Sequence, residues 1–172
     1  RAPDKSSTTK ISRELVDYLC RKIPDPRNRE AVFKSFRYPG AEGNNSSSEV
    51  IRYVLFSIAR YSKKLPLGAP INGNSLTIEH IVPMSSKAVP PDLVCGIGNL
   101  TLLPREVNNE LHDKDFESKR EKLKEYVPYI DPSLESYLSD RTKRSLGAAD
   151  IISRLDTIVR MCANEVWTIP RP

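Results

Sequence analysis

Only two stretches of this chain have the composition of β-strands, and both lie in its middle, between long helical patterns. SLTIEHIVP is short, β-branched and ended by Pro83, and GIGNLTLLP follows it after a loop that contains two adjacent prolines. The sequence order is therefore helices, strand, loop, strand, helix and further helices. This order predicts an α-rich α+β protein with one small hairpin at its centre.

Apolar residues at helical spacing mark the flanking helices. ISRELVDYLCRKI and REAVFKSF come before the strands, and Ser46 with Glu49 forms a capping-box signature ahead of the next apolar run. In that next helix we expect one face to carry Val50, Val54, Ile58 and Tyr61, with Leu55 beside them. In the last helix, ADIISRLDTIVRMCANEVW, we expect one face to carry Ile151, Leu155, Ile158, Val159 and Cys162.

Composition sets loose limits on function. The net charge of +5, from 27 basic and 22 acidic residues, permits a polyanionic partner without requiring one. Cys20, Cys95 and Cys162 are far apart and form no CxxC pair, so we expect buried thiols in a reducing cytoplasm. No run of 18 apolar residues predicts a membrane span. Because the chain begins at Arg1 without a Met, we expect the C-terminal piece of a longer protein.

The residues that could carry chemistry are crowded around the predicted hairpin. Both histidines of the chain, His80 and His112, lie there with Glu79, Asn99 and Asn108. A neutral imidazole is a suitable general base near pH 7, and carboxylate and amide oxygens suit a hard divalent cation. Each residue also has a structural interpretation: a histidine held within a strand, an asparagine in a turn, or an asparagine that caps a helix.

The spacing of these residues resembles the HNH, or ββα-metal, endonuclease motif. EHIVP, then GNLTLL, then a further asparagine supply Glu79, His80, Pro83, Asn99 and Asn108 in the order of that motif. The longer stretch TIEHIVP…GIGNLTLLPREVNNELHDKDFESKR resembles the C-terminal HNH domain of GmrSD-type, modification-dependent restriction proteins. The core of this resemblance covers about residues 76 to 120.

The resemblance implies a metal-dependent DNA endonuclease with a central ββα-metal hairpin-helix core. His80 and Asn99 would be catalytic, and Glu79 and Asn108 would hold a divalent cation, Mg²⁺ first, with Mn²⁺ or Ni²⁺ as alternatives. His112, four residues after Asn108, is a further candidate ligand, because DNase colicins of the HNH class use two ligands at this spacing. The alternative for His112 is a solvated position on a helix.

Basic residues follow the motif in DKDFESKREKLKEY. Lys119, Arg120 and Lys122 are the candidates for contacts with DNA phosphates. We place these charges, with Lys124, in two stripes on the exposed side of a helix. Phe116, Leu123 and Tyr126 would then anchor the opposite side. The alternative is a charged helix face that only contacts water.

The expected organisation is one HNH domain over residues 1–172, with N-terminal helices in 1–66, the ββα-metal core in 75–127 and C-terminal helices in 131–168. The resemblance also implies an upstream ParB-like nucleotide-hydrolysing domain, no membrane association, and a role in restriction and anti-phage defence in the bacterial cytoplasm. A nucleic-acid-binding helical module with an inactive HNH core is the alternative. A purely structural helical bundle would leave the clustering of both histidines unexplained.

Overall fold

The computed structural model of the chain describes residues 26–40, 46–62, 76–162 and 166. The helix expected at residues 11–23, with Cys20, and the end of the last expected helix at Trp167 lie outside these residues. Seven α-helices are described: α1 Pro26–Ser35, α2 Ser46–Tyr61, α3 Pro91–Val94, α4 Arg105–Leu111, α5 Phe116–Ile130, α6 Glu135–Ser139 and α7 Ala148–Met161.

Two strands, β1 (Leu76–His80) and β2 (Leu100–Pro104), pair antiparallel. Ile78 lies opposite Leu102 and His80 opposite Leu100. The connection between the strands is longer than a tight hairpin turn. It contains α3 and a 3₁₀ turn at Ile97–Asn99. The expectation of a mainly helical α+β protein with one small antiparallel sheet is confirmed. Helix α4 begins directly after β2 and contacts both strands.

The two faces of the sheet pack against different apolar clusters, because side chains alternate along a strand. Ile78, Leu100 and Leu102 belong to a cluster with α2 and α7. Leu103 belongs to a second cluster, with buried residues of α4, α5 and α7. The sheet therefore separates a side covered by α2 from a side covered by α4 and α5.

Helix α2 begins at Ser46, as the capping-box signature predicts, and it buries Val54, Leu55 and Ile58 of the expected face but not the two residues at its ends. Val50 and Tyr61 are 40% and 48% exposed, whereas Ile51 is fully buried. A stripe that starts one residue later than Val50 also takes in Leu55 and Ile58 at helical spacing, and these side chains meet the apolar side of the sheet.

The expected face of the last helix is buried at Ile151, Ile158, Val159 and Cys162 and partly buried at Leu155. Ile151 belongs to the second apolar cluster, and the other four pack in the first. Cys162 is fully buried, and burial raises the pKa of its thiol to about 12. Cys95 is partly exposed, which differs from the expectation of a buried thiol, and both of these thiols are free. Within the described residues, no helix combines the length and the apolar character needed to cross a membrane.

A buried arginine joins α7 to the connection between the strands. Arg154 is 1% exposed and donates to the carbonyl oxygens of Gly98 (2.6 Å) and Leu100 (2.8 Å). It also forms an ion pair with Asp131, which is buried as well. A Cβ atom at Gly98 would lie 2.5 Å from the carbonyl oxygen of Ile151, so only glycine permits this approach of helix and turn.

We predict that Arg154→Met lowers the free energy of unfolding by about 3–5 kcal/mol, because Asp131 would remain buried without its partner. Chemical denaturation measures this change. Arg160→Met on the exposed side of the same helix is the matched control, and it should shift the free energy by no more than about 0.5 kcal/mol. Equal effects of the two substitutions would contradict the role assigned to Arg154.

Candidate active site

The carboxyl end of β1 carries Glu79 and His80, which point to opposite faces of the sheet. Glu79 reaches α5 on one side, where it contacts Lys119. His80 reaches the segment after α1 on the other side, where it contacts Tyr38. Alternation along a strand imposes this divergence. A reaction centre shared by both side chains must therefore lie beyond the last residue of the strand.

Glu79 is held in a buried ion pair. Lys119 Nζ donates to Glu79 Oε1 at 2.6 Å and to the carbonyl oxygen of His80 at 2.8 Å. Glu79 is 5% exposed and Lys119 is completely buried. Burial raises the pKa of Glu79 above its ordinary value of 4.5, and the positive charge of Lys119 opposes that rise. Lys119 therefore fixes both the carboxylate and the backbone at the end of β1.

The burial of Lys119 does not fit the expected contact between this side chain and DNA. Lys119 and Arg120 follow Phe116 by three and four residues, so helical spacing places all three on one face of α5. That face lies in the interior, where Phe116 is 2% and Arg120 is 7% exposed. Lys122, with a side chain 41% exposed, lies outside this face and reaches solvent.

Arg120 is buried without full pairing. Its guanidinium lies over the Phe116 ring, 5.3 Å from the centroid. Among the residues that the structure describes, Nε and Nη2 of Arg120 have no hydrogen-bond partner. Buried donors of this kind are rare in proteins and call for a further acceptor.

His80 is oriented through one ring nitrogen. Nε2 lies 3.0 Å from the carbonyl oxygen of Tyr38, and the Tyr38 ring stacks on the imidazole at 5.5 Å between centroids. A carbonyl only accepts, so Nε2 carries the hydrogen and, in the neutral ring, Nδ1 is the basic nitrogen. Tyr38 N donates in turn to Cys95 O at 2.8 Å, which ties this segment to the connection between the strands. No motif or spacing in the sequence points to Tyr38.

The pKa of His80 lies below its ordinary value of 6.5, mainly because burial removes water from the charged ring. The bond to Tyr38 opposes this shift, and the positive charge of Lys119 adds to it. The neutral imidazole therefore predominates at pH 7, which is the form that can accept a proton.

Asn99 uses its amide to hold the connection between the strands. Its Nδ2 donates to the carbonyl oxygens of Val82 and Val94, both at 2.8 Å, and its Oδ1 accepts from Val82 N at 2.9 Å. The side chain is completely buried. These three contacts hold the segment after β1 against the end of α3.

Asn108 attaches α4 to β1. Its Nδ2 donates to Thr77 Oγ1 at 2.8 Å and to the carbonyl oxygen of Ile78 at 3.0 Å. Because both bonds use the amide nitrogen, Oδ1 remains the atom that could ligate a cation. His112 ends α4, with φ of 42° and an exposed side chain. Within the described residues, no group of three or more His, Cys, Asp or Glu side chains could hold a metal ion.

The fold and the site define an α+β protein with an ordered polar cluster at the end of a two-stranded sheet. The family model of the GmrSD restriction endonucleases, C-terminal domain, matches residues 28–161, well over half of the chain. The chain therefore belongs to this family, which implies nuclease activity on DNA. Comparison with curated proteins and with solved structures gave no match.

We predict that the imidazole of His80 titrates below pH 6.5 in the metal-free protein, because burial disfavours its charged form. Proton NMR over a pH series measures the midpoint. The chain has only two histidines, so His112→Gln leaves a single imidazole and assigns the signal. A midpoint for His80 at or above 6.5 would contradict the effect assigned to burial.

Proposed function

We propose that this chain is a metal-dependent, HNH-type DNA endonuclease domain. In this proposal His80 is the general base, and Glu79 and Asn108 hold one divalent cation. The observation that carries the proposal is that the end of β1 holds a fixed, buried and neutral imidazole, His80, and on the neighbouring residue the ion-paired carboxylate of Glu79. Phosphodiester hydrolysis requires an oriented base, and a carboxylate at the same strand end can hold the cation just beyond the last residue of the strand.

The donor atoms suit a hard cation. Glu79 uses one oxygen for Lys119, and an ionised carboxylate has about four lone-pair sites, so acceptor capacity remains. Asn108 keeps Oδ1 in addition to the two bonds of its nitrogen. Oxygen ligands with one carboxylate fit Mg²⁺, which completes its shell with waters and substrate phosphates. The exposed His112 would favour Mn²⁺ or Ni²⁺ if it joined this set.

His80 removes the proton from the attacking water in this mechanism. The bond from Nε2 to the Tyr38 carbonyl fixes the ring, and Nδ1 accepts the proton. The water oxygen forms a bond to phosphorus as the bond from phosphorus to the 3′ oxygen breaks. A divalent cation held by Glu79 and Asn108 would supply positive charge to stabilise the phosphate and the leaving oxygen. Asn99 acts through position, since it holds the backbone that follows His80.

The family also suggests a setting for this reaction. We propose that the domain is the effector of a bacterial restriction or anti-phage protein in the cytoplasm, and that an upstream ParB-like nucleotide-hydrolysing domain controls it. The 172-residue chain should still bind and cut DNA by itself, because its proposed base and ligands all lie within it.

We predict that His80→Ala lowers the rate of plasmid nicking by about 10²-fold or more while DNA affinity changes only a few-fold, because the base acts in the chemical step. Nicking assays with Mg²⁺, Mn²⁺ and EDTA measure the rate, and circular dichroism checks the fold. His112→Ala is the matched histidine control and should retain activity.

A decrease with His112→Ala as large as that with His80→Ala would make His112 part of the site. Nicking by His80→Ala close to the wild-type rate would remove His80 from its role. DNA binding without any nicking by the wild-type chain would favour the alternative, a binding module with an inactive core.

We further propose that DNA phosphates contact Lys122, whose side chain reaches solvent, and not Arg120, whose unpaired guanidinium nitrogens are buried. Lys122 Nζ lies 3.8 Å from the exposed carboxylate of Glu110 on α4, so this cation reaches solvent beside the helix that carries Asn108. Lys124 follows by two residues, which turns it to nearly the opposite side of α5, where it pairs with Glu121.

We predict that Lys122→Ala weakens binding to all DNA sequences alike, because a phosphate contact carries no sequence information. The slope of log affinity against log salt should fall by about 0.9, the value for one neutralised phosphate. Lys124→Ala on the same helix is the matched control and should leave the slope unchanged. Fluorescence anisotropy at several salt concentrations measures both. Equal slopes for wild type and Lys122→Ala would assign Lys122 to a solvated surface instead.

A further inference from the structure

We propose that Lys119 is a positioning residue whose buried charge makes metal binding at Glu79 depend on bound DNA. The proposal rests on the proposed function, because it concerns the same cation at the same carboxylate. It adds a coupling between the two ligands. Lys119 cancels the negative charge of Glu79, and a DNA phosphate supplies a new negative charge, so the cation and DNA bind cooperatively.

The first support is the charge at the end of β1. Glu79 contributes one negative charge, Lys119 Nζ lies 2.6 Å from its carboxylate, and Asn108 offers an uncharged amide. The pair therefore presents almost no net charge to an approaching dication. In the described part of the chain, Glu79 belongs to no group of three or more His, Cys, Asp or Glu side chains that could hold a metal. A site with one neutralised carboxylate should bind Mg²⁺ or Mn²⁺ weakly by itself.

The second support is that the ammonium group of Lys119 cannot easily move away from the Glu79 carboxylate. Its side chain is completely buried and makes two hydrogen bonds, one to Glu79 and one to the backbone of His80. Its neighbours on the same face of α5, Phe116 and Leu123, are 2% and 0% exposed. Moving the ammonium into water would therefore open the core between α5 and the sheet. The positive charge is a permanent part of the site.

The missing negative charge can come from the substrate. Each DNA phosphate carries one negative charge, and Mg²⁺ commonly combines one or two carboxylates with substrate phosphates. A phosphate beside Glu79 would restore the attraction that Lys119 removes. Coupling between two ligands is reciprocal, so the cation must also tighten DNA binding by the same factor.

The test measures Mn²⁺ binding by electron paramagnetic resonance, with and without a DNA duplex, in a His80→Ala background that slows cleavage. We expect DNA to tighten Mn²⁺ binding by about 5–150-fold, the usual range for coupled sites. With Lys119→Met added, Mn²⁺ should bind more tightly without DNA, and the effect of DNA should shrink. Lys124→Met, a cation on the same helix for which no DNA contact is proposed, is the matched control for general charge removal and should leave the coupling factor unchanged.

Two results would overturn the proposal. One is a coupling factor that stays the same when Lys119→Met is added, and the other is equal Mn²⁺ affinity with and without DNA while Lys119 is intact. The second measurement needs no change at Lys119, so it decides the question even if Lys119→Met does not fold. Failure of the proposed function gives a different result: Glu79→Gln would then leave Mn²⁺ binding unchanged in both conditions.

Discussion

The geometry of the site depends on the buried guanidinium of Arg154. It binds the carbonyl oxygens on either side of Asn99, those of Gly98 and Leu100, and Asp131 balances its charge. Asn99, fixed in this way, uses its own amide to hold Val82 just after β1. The last helix of the described fold thus determines where the first strand ends, and Glu79 and His80 lie at that end.

A second buried ion pair, between Glu79 and Lys119, lies at the end of β1 and acts mainly on position rather than on stability. Burying an ion pair costs desolvation that the attraction between the charges only partly offsets, so Glu79 and Lys119 add little net stability as a pair. What the pair provides is position, because Lys119 bonds both a carboxylate oxygen and the backbone of the next residue. Removing either partner alone would leave an unpaired charge in the core, which ties activity and stability together at this point.

Features that depend on local spacing can be predicted from this sequence. β-branched composition and the following Pro83 locate β1, and the apolar period of α7 identifies its buried face from Ile151 to Cys162. The same helical spacing, applied to Phe116, also places Lys119 in the core, whereas its charge alone predicts exposure. The contact of Tyr38 with His80 cannot be predicted in this way, because the two residues are 42 positions apart in the sequence. No local pattern encodes which distant carbonyl will orient an imidazole.

The polar residues at the end of β1 fall into two groups, according to whether each side chain keeps a free donor or acceptor atom. Asn99 has both amide hydrogens and its oxygen engaged in an interior position, so it acts only by holding backbone. His80, Glu79 and Asn108 each use one part of the side chain to bind protein and keep another part for a ligand: Nδ1, a share of the carboxylate lone pairs, and Oδ1. A functional group held on one side and open on the other is already oriented before substrate arrives, and this preorganisation is what a catalytic site requires. The division follows from hydrogen-bond capacity alone, and it separates the residues that can touch DNA or a cation from those that can only position them.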